Sequence, residues 1–210
     1  MEGEINRFKF FSAIEYQNLE KAKLYISDID KEYISWTFIH TLTNHIFSDI
    51  GYDVIKLLLE NGADPNSGDS LRHYKTALHY INFSAMNGVK TDKTNYDKLV
   101  KLSMLLLDYG ANPNQTCLVV NRPTPWKDLY WCKDIRLIKK YLEKGADPQY
   151  HIDSLMNMPD IYKLESPLYR ISKNYIEKLE TKKKAEEKVR QLVVQKLYHR
   201  VGGLNLDRYF

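Results

Sequence analysis

Apolar positions recur along most of this chain at three- and four-residue intervals, the spacing that puts them on one face of a helix. Leucine-rich runs of this kind cover Val54 to Glu60, Leu102 to Asp108 and Ile135 to Glu143, and each is followed by the same polar phrase. The phrases read Gly62-Ala63-Asp64-Pro65-Asn66, Gly110-Ala111-Asn112-Pro113-Asn114 and Gly145-Ala146-Asp147-Pro148-Gln149. Glycine stops a helix by entering the left-handed region, and an X-Pro step turns the chain away, so the pattern predicts three equivalent helix ends. Helix starts are marked too. Thr76-Ala77-Leu78-His79, Thr124-Pro125-Trp126-Lys127 and Ser166-Pro167-Leu168-Tyr169 each place a hydroxyl where an N-cap is needed, and two of them follow it with Pro at the first helical position. The predicted unit is a short helix, a turn and a longer helix ending at a glycine phrase.

Weaker copies flank these units. Phe11 to Ile14 with Asn18 to Ile26 forms one without a glycine phrase, and Trp36 to Phe47 with Tyr52 to Glu60 forms the next. At the other end, Ile176, Leu179, Ala185, Val189, Leu192, Val193, Leu197 and Val201 make a single helical stripe, closed by Gly202-Gly203. That predicts a long C-terminal capping helix extending beyond the array.

The openers and glycine phrases together resemble those of the ankyrin repeat family, whose unit begins with T-P-L-H on an inner helix and ends with L-L-L-x-x-G-A-D on an outer one. The unit from Arg122 to Gln149 fits best, departing in its opener at Trp126 for Leu and Lys127 for His. Gly110 and Gly145 are 35 residues apart, close to the repeat length of about 33. The 48 residues between Gly62 and Gly110 imply an insertion, assigned to a longer inter-helix loop at Asn87 to Asn95. The resemblance implies an all-α, ankyrin-type helical repeat solenoid of about five helix pairs. Its array occupies residues 1–173, with units near 8–33, 34–66, 74–114, 122–149 and 166–201. A basic helix and tail occupy 174–210.

Composition fits a folded chain. At 210 residues with 28% charged and 43% apolar content, it can bury a core and is unlike a disordered tail. No apolar stretch approaches the length of a membrane span, and Met1-Glu2-Gly3-Glu4 lacks a signal-peptide layout, so a cytoplasmic, monomeric protein is expected. Cys117 and Cys132 are expected to be reduced and buried. The net charge of +4 is uneven: residues 163–210 carry 12 Lys and Arg against 6 Asp and Glu, leaving the rest slightly acidic.

Candidates for chemistry are few. The sequence has no phosphate loop, dinucleotide turn or nucleophile elbow, so no catalytic residue and no cofactor are expected. His40 and His45 are five apart on a predicted helix, off the separation that shares a face, and His73 and His79 are six apart across a turn; no metal site is expected. His79, by the resemblance, bonds the backbone of an adjacent finger turn. The resemblance also puts finger turns and inner helices on a concave side that is free to match a partner. The third unit offers Arg72, His73, Lys75, Tyr80 and Phe83, and the fourth offers Arg122, Lys127, Asp128 and Trp131. Phe83 and Trp131 either pack on the next unit or face the partner. Aromatic and Arg side chains of this kind anchor interfaces, so the leading expectation is a non-enzymatic protein-interaction module that captures a protein. Small irregular ankyrin arrays in viruses and intracellular bacteria look like adaptors for host proteins, which makes a virulence adaptor one form of it. The alternative is nucleic-acid binding through Lys182, Lys183, Lys184, Lys188, Arg190 and Arg200, although Glu177, Glu180, Glu186 and Glu187 are interleaved with them.

Overall fold

The computed structural model describes residues 2–45, 48, 51–69, 75–86, 93–118, 124–129, 132–156, 163 and 166–200. The described chain is predominantly helical. Its helices are α1 (Glu2–Glu15), α2 (Leu19–Tyr25), α3 (Lys31–Asn44), α4 (Gly51–Glu60), α5 (Ala77–Met86), α6 (Lys93–Asp108), α7 (Ile135–Glu143), α8 (Pro148–Met156) and α9 (Pro167–Arg200). Two 3-10 turns, Ile26–Asp28 and Lys127–Leu129, extend α2 and precede α7. Among the described residues one antiparallel pairing joins β1 (Gly68–Asp69) to β2 (Lys75–Thr76), with Gly68 opposite Thr76 and Asp69 opposite Lys75.

Contacts arrange these elements in two rows. One row runs α1, α3, α5 and the Lys127–Leu129 turn; the other runs α2, α4, α6 and α7. Rungs join them at α1 with α2, α3 with α4, and α5 with α6, and the far end is closed by α9 against α7 and α8. The apolar faces read from the sequence fill the space between rows: Phe38, Ile55, Leu58, Leu78, Ile81, Leu99, Leu106, Ile138 and Leu142 are all buried.

The three glycine phrases terminate helices in one way. Gly62, Gly110 and Gly145 take φ of 94°, 91° and 87°, where an L side chain is strained. Their amides bond Leu59, Leu107 and Leu142 carbonyls, while the next amides, of Ala63, Ala111 and Ala146, bond back to Leu58, Leu106 and Tyr141 at 3.0, 2.9 and 3.0 Å. This paired closure satisfies carbonyls that a helix end leaves without partners. It also turns each alanine inward, where all three are buried.

Side chains then join successive phrases. Asn66 donates from Nδ2 to the Gly110 carbonyl (3.1 Å) and accepts at Oδ1 from the Asn112 amide (2.7 Å). Asn114 repeats this on the following phrase, donating to the Gly145 carbonyl (2.7 Å) and accepting from the Asp147 amide (3.2 Å). The phrases are therefore equivalent neighbours. Within each one, Asp64, Asn112 and Asp147 accept from the amides of Asn66, Asn114 and Gln149 at 2.8–3.0 Å.

Four features depart from the sequence reading. The third phrase does not simply turn: Asp147 caps and Pro148 starts α8, an unanticipated helix. Among the described residues the fourth unit's inner helix is the Lys127–Leu129 turn, and just eight residues lie between Pro125 and the α7 cap at Asp134. Cys132 consequently lies outside a helix. Lys93 to Asn95, expected in the lengthened loop, form the first turn of α6, so part of the insertion lengthens that helix to 16 residues; residues 87–92 lie outside those described. Finally, α9 runs unbroken across position 174. Only its start docks, through buried Leu168 and Ser172 and a bond from the Tyr175 hydroxyl to the Leu142 carbonyl (3.2 Å). Every residue from 177 to 197 is exposed.

Two stability effects follow. Asn114→Ala removes both bonds to the third phrase and is expected to cost about 1–2 kcal/mol, measured by denaturant unfolding, whereas the same change at nearby Gln115 should cost less. Gln17 ends α1 at φ 54° in the position that the phrase glycines occupy elsewhere, its amide bonding Ile14 and the next amide bonding Ala13. Gln17→Gly is expected to stabilise the chain by about 0.5–1 kcal/mol, the left-handed strain relieved less the added freedom of the unfolded chain.

Candidate partner-binding surface

The residues that could meet a partner stand at the edge of the α1-containing row, on the β hairpin, α5, the Lys127–Leu129 turn and α8. Lys75 lies on β2, half-buried, and its Nζ sits 4.9 Å from the centroid of the Phe83 ring. Phe83 is 53% exposed, which resolves the two readings of this residue: its ring faces outward and does not fill the next unit. Tyr80, a turn earlier on α5, is half-buried. Across the next boundary, Lys127 places its Nζ 4.4 Å from the centre of the Tyr150 ring on α8. Two neighbouring units thus present the same device, an ammonium group over an aromatic face.

Between them stands Asp128. Burial raises its pKa from 3.8 to about 6, and the nearby Lys75 charge offsets part of that rise. The carboxyl is still mostly ionised at neutral pH, so Lys75, Asp128 and Lys127 form a strip of alternating sign between two aromatic rings.

Below the strip the scaffold is polar and joined by hydrogen bonds. Asn82 donates from Nδ2 to the Pro125 carbonyl and to the Tyr141 hydroxyl, both at 2.7 Å, and Ser103 donates to its Oδ1 at 3.5 Å. Trp126 donates from Nε1 to the Asp147 carbonyl (2.6 Å), and its own carbonyl accepts from His151 Nε2 at 2.8 Å. Burial lowers the His151 pKa to about 4 against the opposing pull of that bond, so the ring is neutral. His79 accepts at Nδ1 from the Thr76 amide (3.2 Å) and lies 2.9 Å from the Thr76 hydroxyl, so these two contacts stay within its own unit. They lock the hairpin onto the start of α5. Cys117 and Cys132 are free and buried. Burial also pushes the Cys132 thiol up, which keeps it protonated and a poor nucleophile.

Of the expected partner-facing residues, Lys75, Tyr80, Lys127 and Asp128 fall on this surface. Arg72, His73, Arg122 and Trp131 lie outside the described residues. The basic set of α9 is elsewhere: Lys182, Lys183, Lys184, Lys188 and Arg190 are exposed on the projecting part, with Arg200 as its last residue. Lys182 pairs with Glu186 at 3.7 Å. Tyr150 was not anticipated. Its signal was the Asp147-Pro148 pair, an N-cap followed by the preferred first helical residue. No protein-family model matches the chain, and no curated protein matches it. No helix among the described residues is long and apolar enough to cross a membrane.

Asp128 and His151 pull stability in opposite directions with pH. The raised Asp128 pKa favours the folded state fully below pH 3.8, and that contribution is lost as pH rises through about 6. The lowered His151 pKa does the reverse: its contribution is present above pH 6.5 and is lost as pH falls toward about 4. Asp128→Asn is therefore expected to raise stability at pH 7 and to steepen the acid-side loss between pH 6 and 4, read from denaturation midpoints across that range.

Proposed function

We propose that this chain is a non-enzymatic protein-interaction module, an ankyrin-type solenoid that holds a protein partner on the face carrying Lys75, Phe83, Lys127, Asp128 and Tyr150. The observation that carries this reading is the paired arrangement of an ammonium over an aromatic ring on adjacent units, with Phe83 half-open to solvent. Aromatic area of that kind, rimmed by charges of both signs, suits a protein surface with its own apolar and charged groups. The stacked glycine phrases support the solenoid reading because each bonds the next in the same way. The packing beneath the face accounts for Asn82, Trp126 and His151 as scaffold, and Phe83 stands outside it, exposed to solvent. A partner inside the cytoplasm, including a host protein captured by a pathogen's adaptor, fits this role. The basic helix is a weaker basis for nucleic-acid binding, since acidic side chains alternate with its lysines and dilute the field that phosphates would meet.

The reading is tested by capturing partners from the native cell with the wild-type chain and with the triple variant Tyr80→Ala, Phe83→Ala, Lys127→Ala. The specific co-purifying protein should fall by about tenfold or more. The melting temperature should move by only a few degrees, as expected for partly exposed positions. Retention should also survive salt of about 0.5 M, which strips a phosphate binder. Equal capture by the variant would overturn this assignment. Loss of all bound material in salt, with nucleic acid in the eluate, would favour the basic helix instead.

A further inference from the structure

A different constellation lies at the other end of the molecule. Glu15 is the last residue of α1, His40 lies on α3, and His45 is the first residue beyond α3. The separation of five would keep the two imidazoles off a common helical face if the helix continued. It does not continue. His45 leaves helical geometry at φ −125° while its amide still holds the Thr41 carbonyl at 2.8 Å, and its ring swings back toward His40. The ring centroids are 6.2 Å apart.

Packing of α1 on α3 then brings Glu15 between them. One carboxylate oxygen, Oε1, lies 2.9 Å from His45 Nε2 and 3.4 Å from His40 Nδ1. All three donor atoms fall within 4.8 Å of one another. His40 Nδ1 is shut off from water yet makes no hydrogen bond of good geometry. The His40 ring is held in place by Trp36, stacked at 5.4 Å, and by the edge of Phe11 at 5.0 Å.

We infer that Glu15, His40 and His45 form a binding site for one divalent transition-metal ion of the zinc type. Two imidazole nitrogens and one carboxylate oxygen are the donor set such ions take, in contrast to the all-oxygen sets of calcium and magnesium. Ligand bonds of about 2.0–2.1 Å in a tetrahedron put donors about 3.3 Å apart. The two distances to Glu15 already bracket that value. The ring hydrogens would sit on His40 Nε2 and His45 Nδ1, leaving the facing nitrogens as donors. Water completes the fourth position. The ion would join the end of α1 to the end of α3, beside the packing of Phe11 on Trp36 and His40. The site is independent of the partner-binding face.

The test uses the full chain, stripped with a chelator, exchanged into chelator-free buffer and titrated with Zn2+ by calorimetry and with Co2+ by visible absorption. One equivalent should bind, with the d–d absorption of a four-coordinate Co2+ ion, and the melting temperature should rise with Zn2+ concentration. Glu15→Gln, His40→Ala and His45→Ala should each weaken binding by more than about tenfold and abolish the Zn2+-dependent rise in melting temperature, while His73→Ala should retain both. Should His40→Ala fail to fold, His45→Gln and Glu15→Gln, both at the rim, decide the matter. Failure of the wild type to take up Zn2+, or equal uptake by the His45 and Glu15 variants, would overturn the assignment.

Discussion

The arrangement of this protein depends on a side-chain amide placed four residues after a helix-ending glycine. Asn66 and Asn114 each offer one donor and one acceptor to the backbone of the next phrase, and both are used. A hydrophobic face alone tolerates sliding and rotation of one helix on another, because burial is nearly indifferent to direction. Two bonds from one planar group to a fixed backbone pair are not indifferent. They hold successive outer helices in register, and the inner row follows because each inner helix packs on its outer partner.

That register is refined in the interior by polar contacts of a second kind. Trp126 stands where the family resemblance leads one to expect leucine, and its indole N–H reaches the carbonyl of Asp147 in its own unit's phrase. The same residue's carbonyl receives His151 from α8. Asn82 performs a comparable task between α5 and α7, where it would otherwise be an expensive buried amide. An apolar core supplies most of the driving force here, and these few hydrogen-bonded polar groups choose which packing is adopted.

Much of this was legible from residue order. The ends of α4, α6 and α7 follow from the glycine phrases, and the starts of α5 and α9 from Thr76 and Ser166. Lys75, Lys127 and Asp128 were placed near the candidate face by register. What escaped had competing signals. Asp147-Pro148 carries both a turn signature and a helix-start signature, and sequence alone does not say which prevails; with it went Tyr150. The reduced inner helix of the fourth unit depended on how many residues fit between two caps. The Glu15, His40 and His45 cluster was invisible because a helical spacing rule fails one residue past a helix end, and because its carboxylate arrives from another helix. The projecting course of α9 was obscured as well, since a stripe of Leu and Val reads alike whether it is covered or bare.

The grip between phrases points in one direction along the chain. Each Asn reaches forward and asks nothing of the residues between phrases, which is why spacings of 48 and 35 coexist. Gln149, at the corresponding place in the third phrase, turns its amide to Asp153 on α8 instead. An added helix pair would therefore find a ready hold of this kind if spliced in upstream, but none from Gln149 if appended after it.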